Sequence, residues 1–146
     1  MDESFHYLIM AEHSLLQKGL LTMLKGSGLS AGQPKILDYL LTHNGAAQKE
    51  IARGCHIEPG TLTTLLNRME ENGLVERRMQ KGNRRTYHVF MTAEGKRQAL
   101  FVMENFHKLE NNAFHGISDA EKKAFMKTLL QIYDNLNIER KGLTSL

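Results

Sequence analysis

A single cysteine, Cys55, stands in a chain of 146 residues. One thiol cannot close an intramolecular disulfide, so a cross-linked extracellular scaffold is excluded and a reducing compartment is expected. Long hydrophobic runs are missing too: the purely apolar stretches are a few residues long, and the opening residues MDESFHYL are acidic where a secretory leader is basic. A cytoplasmic protein with no membrane partner is therefore the expectation. Signatures of catalysis are also lacking. There is no glycine-rich phosphate loop after a strand, no HExxH and no paired-cysteine metal motif. The seven histidines are scattered. No enzymatic activity, cofactor or metal centre is expected, and no internal repeat or low-complexity tract interrupts the chain.

What the chain does have is enough apolar content for a core, and an uneven charge. Hydrophobic residues make up 41% of it, sufficient for one compact domain. The net charge is only +3, yet between Ala47 and Arg97 ten Lys and Arg stand against six Asp and Glu, while the remainder is slightly acidic. Arg77, Arg78, Lys81, Arg84 and Arg85 fall close together with no acid among them. Such a cluster suits contact with phosphates or a solvated basic hairpin.

The segment from Gln48 to Thr92 reads as a short helix, a tight turn, a second helix, and two short strands joined by the basic loop, a winged helix-turn-helix. In the second helix, at about Pro59 to Asn72, Leu62, Leu65, Leu66 and Met69 recur at the spacing that gathers side chains on one face. Pro59 suits an early helix position and Gly73 a helix stop. Gly60, Thr64, Asn67 and Glu71 are left for the outer face, with Thr63 and Arg68 flanking; Gly60, Thr61, Thr63, Thr64, Asn67 and Arg68 are the DNA-binding candidates on this helix. This slim polar surface fits either a solvated helix or an element that enters a major groove, and the adjoining wing favours the second. Lys81, Arg84 and Arg85 would then meet the DNA backbone or minor groove.

Amphipathic helices flank this segment. The first runs from about Ser4 to Lys25. The next opens at Ser30, with Gln33 completing a capping box and Pro34 in its first turn, and closes at Asn44-Gly45. Ile51, Ala52 and Cys55 line the buried side of the short helix, which makes Cys55 a structural thiol. After the wing, Thr92 to Glu94 starts a long helix to about His115 with a seam through Ala99, Met103, Phe106, Leu109 or Glu110, and Ala113. Ser118 and Glu121 form another capping box for a last helix to about Glu139. The expected fold is mainly α with a small β wing: one domain over residues 1–146, with a DNA-binding lobe at 30–92 and N- and C-terminal dimerisation helices at 1–29 and 93–146. Apolar faces that so small a core cannot cover point to a homodimer binding a palindromic duplex, with a monomeric helical bundle as the other option.

The order of elements, the passage ENGLVERR (Glu71 to Arg78) and the passage NRRTYHVFMTAEG (Asn83 to Gly95) resemble the MarR family of bacterial transcriptional regulators over nearly the whole chain. The resemblance implies a homodimer that binds a pseudopalindromic double-stranded DNA operator, often as a repressor, and often releases it on binding a small phenolic or aromatic-acid effector. Family members usually carry Asp two residues before the wing arginine, where this chain has Asn83. An amide braces Arg85 less strongly than a carboxylate. Pro34 and Lys35 occupy positions that supply zinc ligands in some relatives. His13, on an otherwise apolar stripe of the first helix, and Tyr39, beside the core face of the second, are the candidate effector-pocket residues. The competing function is a winged-helix protein-interaction module without specific DNA binding.

Overall fold

The computed structural model describes residues 3–80 and 83–137, with the backbone alone at Gln80, Asn83, Arg84 and Arg85. Its elements follow in the order α1 (Phe5–Met23), α2 (Gln33–His43), α3 (Gln48–Cys55), α4 (Pro59–Glu71), β1 (Val75–Gln80), β2 (Asn83–Met91), α5 (Ala93–Ala113) and α6 (Asp119–Leu136). This is the mainly helical architecture with a small β wing that the sequence predicts. Residues up to Leu109 form one compact unit and those from Glu110 a second. None of the helices described is long and apolar enough to cross a membrane.

The first unit is held by one buried cluster to which every element in it contributes. Leu20, Ile36, Leu40, Ile51, Leu62, Leu66, Met69, Val75, Val89 and Val102 are among its members. Each large aliphatic side chain withdrawn from water stabilises by about 1.5–3 kcal/mol. That burial is what sustains α3, whose eight residues are too few for a stable isolated helix.

Local chemistry sets where the helices begin and end. Ser4 Oγ accepts from the Tyr7 N–H at the start of α1, 3.2 Å away. The helix α2 begins at Gln33 and not at Ser30 as the sequence suggests. Ser30 to Gln33 form a tight turn instead, closed by the Gln33 N–H on the Ser30 carbonyl at 3.1 Å. Gly32 holds φ 90° at its third position, a conformation cheap for glycine alone. Gln33 still reaches back, its Oε1 accepting from the Ser30 N–H at 3.2 Å, so it closes the turn and not the helix.

The wing is an antiparallel pair in which Val75↔Met91, Arg77↔Val89 and Met79↔Tyr87 share one face, and Glu76↔Phe90 and Arg78↔His88 the other. Its root is bonded on a second side to the α2–α3 connection. The Gly45 N–H donates to Val89 O at 2.8 Å, the Val89 N–H to Ala46 O at 3.0 Å, and the Met91 N–H to Asn44 Oδ1 at 2.8 Å.

Thr92 then fastens the start of α5. Its hydroxyl donates to Gly73 O at 2.6 Å and accepts from the Gly95 N–H at 3.0 Å. Gly95 lies so close to β1 that a Cβ there would stand 1.9 Å from Leu74 O. This approach sets the rotation of α5. Its buried positions are Gly95, Gln98, Ala99, Val102 and Asn105, with Phe106 and Leu109 half-buried against the core. Along the expected seam, Ala99 is buried, Met103, Phe106 and Leu109 are half-buried and Ala113 is exposed in the single chain.

In the second unit, Ser118 caps α6, its Oγ accepting from the Glu121 N–H at 3.2 Å and donating to Glu121 Oε1 at 2.9 Å. Phe114 meets Phe125 edge to face at 6.0 Å, and Lys122 Nζ lies 4.6 Å from the centre of the Phe114 ring. No residue of α6 is buried.

Candidate nucleic-acid interface

The angle between α3 and α4 is built from main-chain bonds. At the end of α3, His56 adopts φ 53°. Its N–H donates to Arg53 O at 3.3 Å and the next N–H, of Ile57, donates to Ala52 O at 2.9 Å. The same pair of bonds closes α4, where the Gly73 N–H donates to Glu70 O at 3.0 Å and the Leu74 N–H to Met69 O at 2.8 Å. Beneath this turn Ile51, Cys55, Leu62, Leu66 and Met69 are buried. Cys55 is the structural thiol expected: burial pushes it up to about 11, opposed in part by Lys35, and Sγ points at Lys35 O at 3.7 Å.

With its inner face committed, α4 turns Gly60, Thr61, Thr63, Thr64, Asn67 and Arg68 outward, and all six are exposed. Thr63 Oγ1 donates to Pro59 O at 3.0 Å and accepts from Gln48 Nε2 at 2.9 Å, which pins the first turn of α4 to α3. Thr64 Oγ1 donates to Gly60 O at 3.3 Å. With their protons committed to the helix carbonyls, both hydroxyls keep acceptor capacity, one lone pair on Thr63 and two on Thr64, suited to donors on base edges. A Cβ on Gly60 would meet nothing within 4 Å, so this glycine leaves open space at the helix start.

The basic cluster read from the sequence separates in three dimensions, because neighbouring strand residues face opposite ways. Arg77 turns toward α4. Its Nε donates to Glu70 Oε2 at 3.1 Å, its backbone N–H to the same oxygen at 3.0 Å, and its Nη2 to Asn67 Oδ1 at 2.7 Å. The hydrogen bond from its side chain holds the Glu70 carboxyl below the usual carboxylate range. Arg78 turns the other way, pairing with Glu76 at 2.9 Å and lying over the Phe90 ring at 4.4 Å. Both cations of the cluster whose side chains are described thus have partners within the chain. Lys81 lies outside the described residues, as do the side chains of Arg84 and Arg85.

Sequence reasoning missed two residues at this surface, Gln48 and Arg77 in its inward role. Asn67 and Glu70 sit one helical turn apart on α4, and Arg77 is the first polar strand residue after them on the face that strand alternation gives to Val75 and Arg77. That was the available signal.

The two candidate pocket residues are not brought together by any contact described here. His13 is exposed on α1. The Tyr39 ring stacks on His43 with 4.1 Å between centroids. It also lies against Gly54, where a Cβ would be 2.4 Å from its edge. A shallow cleft on α1, lined by Ser14, Gln17, Lys18, Leu21, Thr22 and Lys25, includes neither.

A family model described as the MarR family matches residues 29–87. The uncharacterised HTH-type transcriptional regulator YwoH of Bacillus subtilis (strain 168) is 32% identical over 111 residues, which cover 76% of this chain and 80% of that protein. The HTH-type transcriptional repressor YetL of the same organism is 31% identical over 116 residues, covering 77% and 69%. A solved structure of a putative MarR family transcriptional regulator from Listeria monocytogenes, complexed with 26mer DNA, has a TM-score of 0.84 at 19% identity over 97% of both chains. That likeness speaks for the fold. With helix-turn-helix, wing and flanking helices in this order and relatives of this extent, the chain belongs to the MarR family of transcriptional regulators.

Proposed function

We propose that this DNA-binding regulator acts as a homodimeric repressor whose two α4 helices enter successive major grooves of a pseudopalindromic operator. The observation that carries the reading is the outer face of α4: six exposed residues, short or polar, on a helix whose opposite face buries Leu62, Leu66 and Met69 and half-buries Leu65. The wing, through Lys81, Arg84 and Arg85, would follow the backbone or minor groove beside it. The relatives described are transcriptional regulators and not enzymes. They favour this reading over a protein-interaction module.

Exposed apolar side chains support dimerisation through residues 1–29 and 93–146. On α1, Phe5 is 54% exposed and Leu15 69%; on α6, Leu130 is 60% exposed and Leu136 66%. Large contiguous apolar faces on a monomer mark interaction surfaces. Two half-sites about 34 Å apart would match a two-fold dimer. The test is selection of a bound duplex from random DNA, followed by titration at rising salt. A palindromic consensus with affinity falling by about 0.9 log units per log unit of salt for each phosphate neutralised is expected. Failure to enrich any sequence would refute the proposal. The regulatory half is release by a phenolic or aromatic-acid effector. It is refuted if no such compound lowers affinity for the selected duplex.

A further inference from the structure

Among the described residues, Arg77 is the most heavily engaged cation of the wing, and what it engages is a residue placed to read DNA. It sits opposite Val89, which has no exposed surface, on the wing face turned toward α4. Its side chain is 18% exposed, and its guanidinium carbon lies 5.8 Å from the centre of the Tyr87 ring. Glu70 takes both its Nε and its main-chain N–H through one oxygen. The guanidinium is thereby held with Nη2 on Asn67 Oδ1 at 2.7 Å.

A guanidinium has donors only. The Asn67 amide must therefore turn its oxygen to Arg77, because the flipped amide would set N–H against N–H. What remains for a partner is the NH2 group, with both its protons free of Arg77, and one lone pair on an oxygen whose acceptor strength the guanidinium already draws on. The usual asparagine contact to adenine uses both halves of the amide, the oxygen accepting from N6 and the nitrogen donating to N7. Here the oxygen is already engaged in a charge-assisted bond. A base edge made of acceptors matches the outward NH2 better, and in the major groove that edge is the N7 and O6 of guanine.

We infer that Arg77 is a positioning residue that orients Asn67 as a hydrogen-bond donor, so that Asn67 reads guanine in preference to adenine. The inference rests on the proposal that α4 enters the major groove. Arg77 itself touches no base and neutralises no phosphate in this arrangement, although it lies in the basic cluster.

The experiment uses the full-length protein and the duplex it selects. The base pair read by Asn67 is the one whose preference disappears in Asn67→Ala. That base is expected to be guanine, and replacing it with 7-deazaguanine should weaken wild-type binding by about 10-fold while leaving Asn67→Ala unaffected. Arg77→Ala should lose preference at the same pair, without further loss in the double variant Asn67→Ala/Arg77→Ala, and should keep the wild-type salt slope. Arg77→Lys, which retains the charge but not the fork that spans Glu70 and Asn67, should behave as Arg77→Ala does. It supplies the test if the alanine variant does not fold. Adenine at the Asn67-dependent pair would overturn the inference. So would a salt slope reduced by about 0.9 with base preference intact, the signature of a phosphate contact. A wild-type protein that selects no duplex would overturn the DNA-binding reading and this inference with it, whereas an Arg77 variant that keeps its base preference overturns the inference alone.

Discussion

Replacing Gly95 with alanine should destabilise the protein although it improves helix propensity. A Cβ at this position would fall 1.9 Å from Leu74 O and 2.9 Å from Leu74 C, both main-chain atoms that no rotamer change can move. The start of α5 would have to retreat by more than 1 Å. That strains the bond from the Gly95 N–H to Thr92 Oγ1 (3.0 Å) and the bond from the Thr92 N–H to Leu74 O (3.0 Å). Overpacking costs about 1–3 kcal/mol and sometimes more, and each weakened hydrogen bond adds up to about 1 kcal/mol. Against these, alanine gains about 1 kcal/mol over glycine in a helix. The net is a loss of about 2 kcal/mol at the middle of these ranges and about 4 kcal/mol at their top, which for a chain of this size lowers the melting temperature by roughly 5–15 °C. Thermal denaturation at fixed protein concentration measures it. Gly60→Ala is the matched control: nothing lies within 4 Å of the added methyl, so the same chemical change should leave stability equal or slightly higher. If Gly95→Ala melts with the wild type, the close approach does not constrain α5 and the account of its rotation fails.

Other outcomes follow from the same geometry. Leu66→Ala, at a position with no exposed surface, should cost about 2–5 kcal/mol by urea denaturation; a smaller loss would mean that the core beneath α4 collapses to fill the space. Glu70 has its folded-state pKa depressed below 4.5 by Arg77, so its contribution is present above about pH 4.5 and is lost as pH falls through the folded value. With a side chain 43% exposed, that contribution is below about 1 kcal/mol. The stability gap between wild type and Glu70→Gln should therefore close in acid, and a gap that is constant with pH would refute the pairing. Cys55, 3% exposed and with its thiol pushed up to about 11, should react with a thiol reagent at pH 8 only on unfolding. Rapid modification of the native protein would contradict its burial. Sedimentation should report twice the chain mass; a folded monomer at micromolar concentration would remove the homodimer.

How much of this was legible in the sequence depended on whether a contact was local. The inner face of α4 could be read because Leu62, Leu66 and Met69 are spaced by the helix itself, and the cap at Ser118 because its partner is three residues away. The start of α2 was misplaced because Ser30 and Gln33 form their bond in a turn as readily as in a helix. Gly32 decides between the two through its backbone angle. The rotation of α5 was unreadable for a different reason: it is set by Leu74, in the connection before β1, through a space that only the absence of a side chain leaves. The basic cluster was seen as one patch because charge was counted along the chain. Strand alternation, also present in the sequence, sends Arg77 and Arg78 to opposite faces, and only Arg77 meets Glu70 and Asn67.

The turn between α3 and α4 is closed by carbonyls and amides of residues 52, 53, 56 and 57, with no side chain taking part in those two bonds. The scaffold that aims α4 is therefore separable from the residues that α4 displays. Thr61, Thr64 and Arg68 can be exchanged without disturbing the closure, so a new target sequence is reachable by single steps that each leave a folded protein. Thr63 and Asn67 are exceptions, the first bonded to Gln48 on α3 and the second to Arg77 on the wing. Change at Asn67 must be matched by change at Arg77, and specificity at that position should drift more slowly than at Thr61, Thr64 or Arg68.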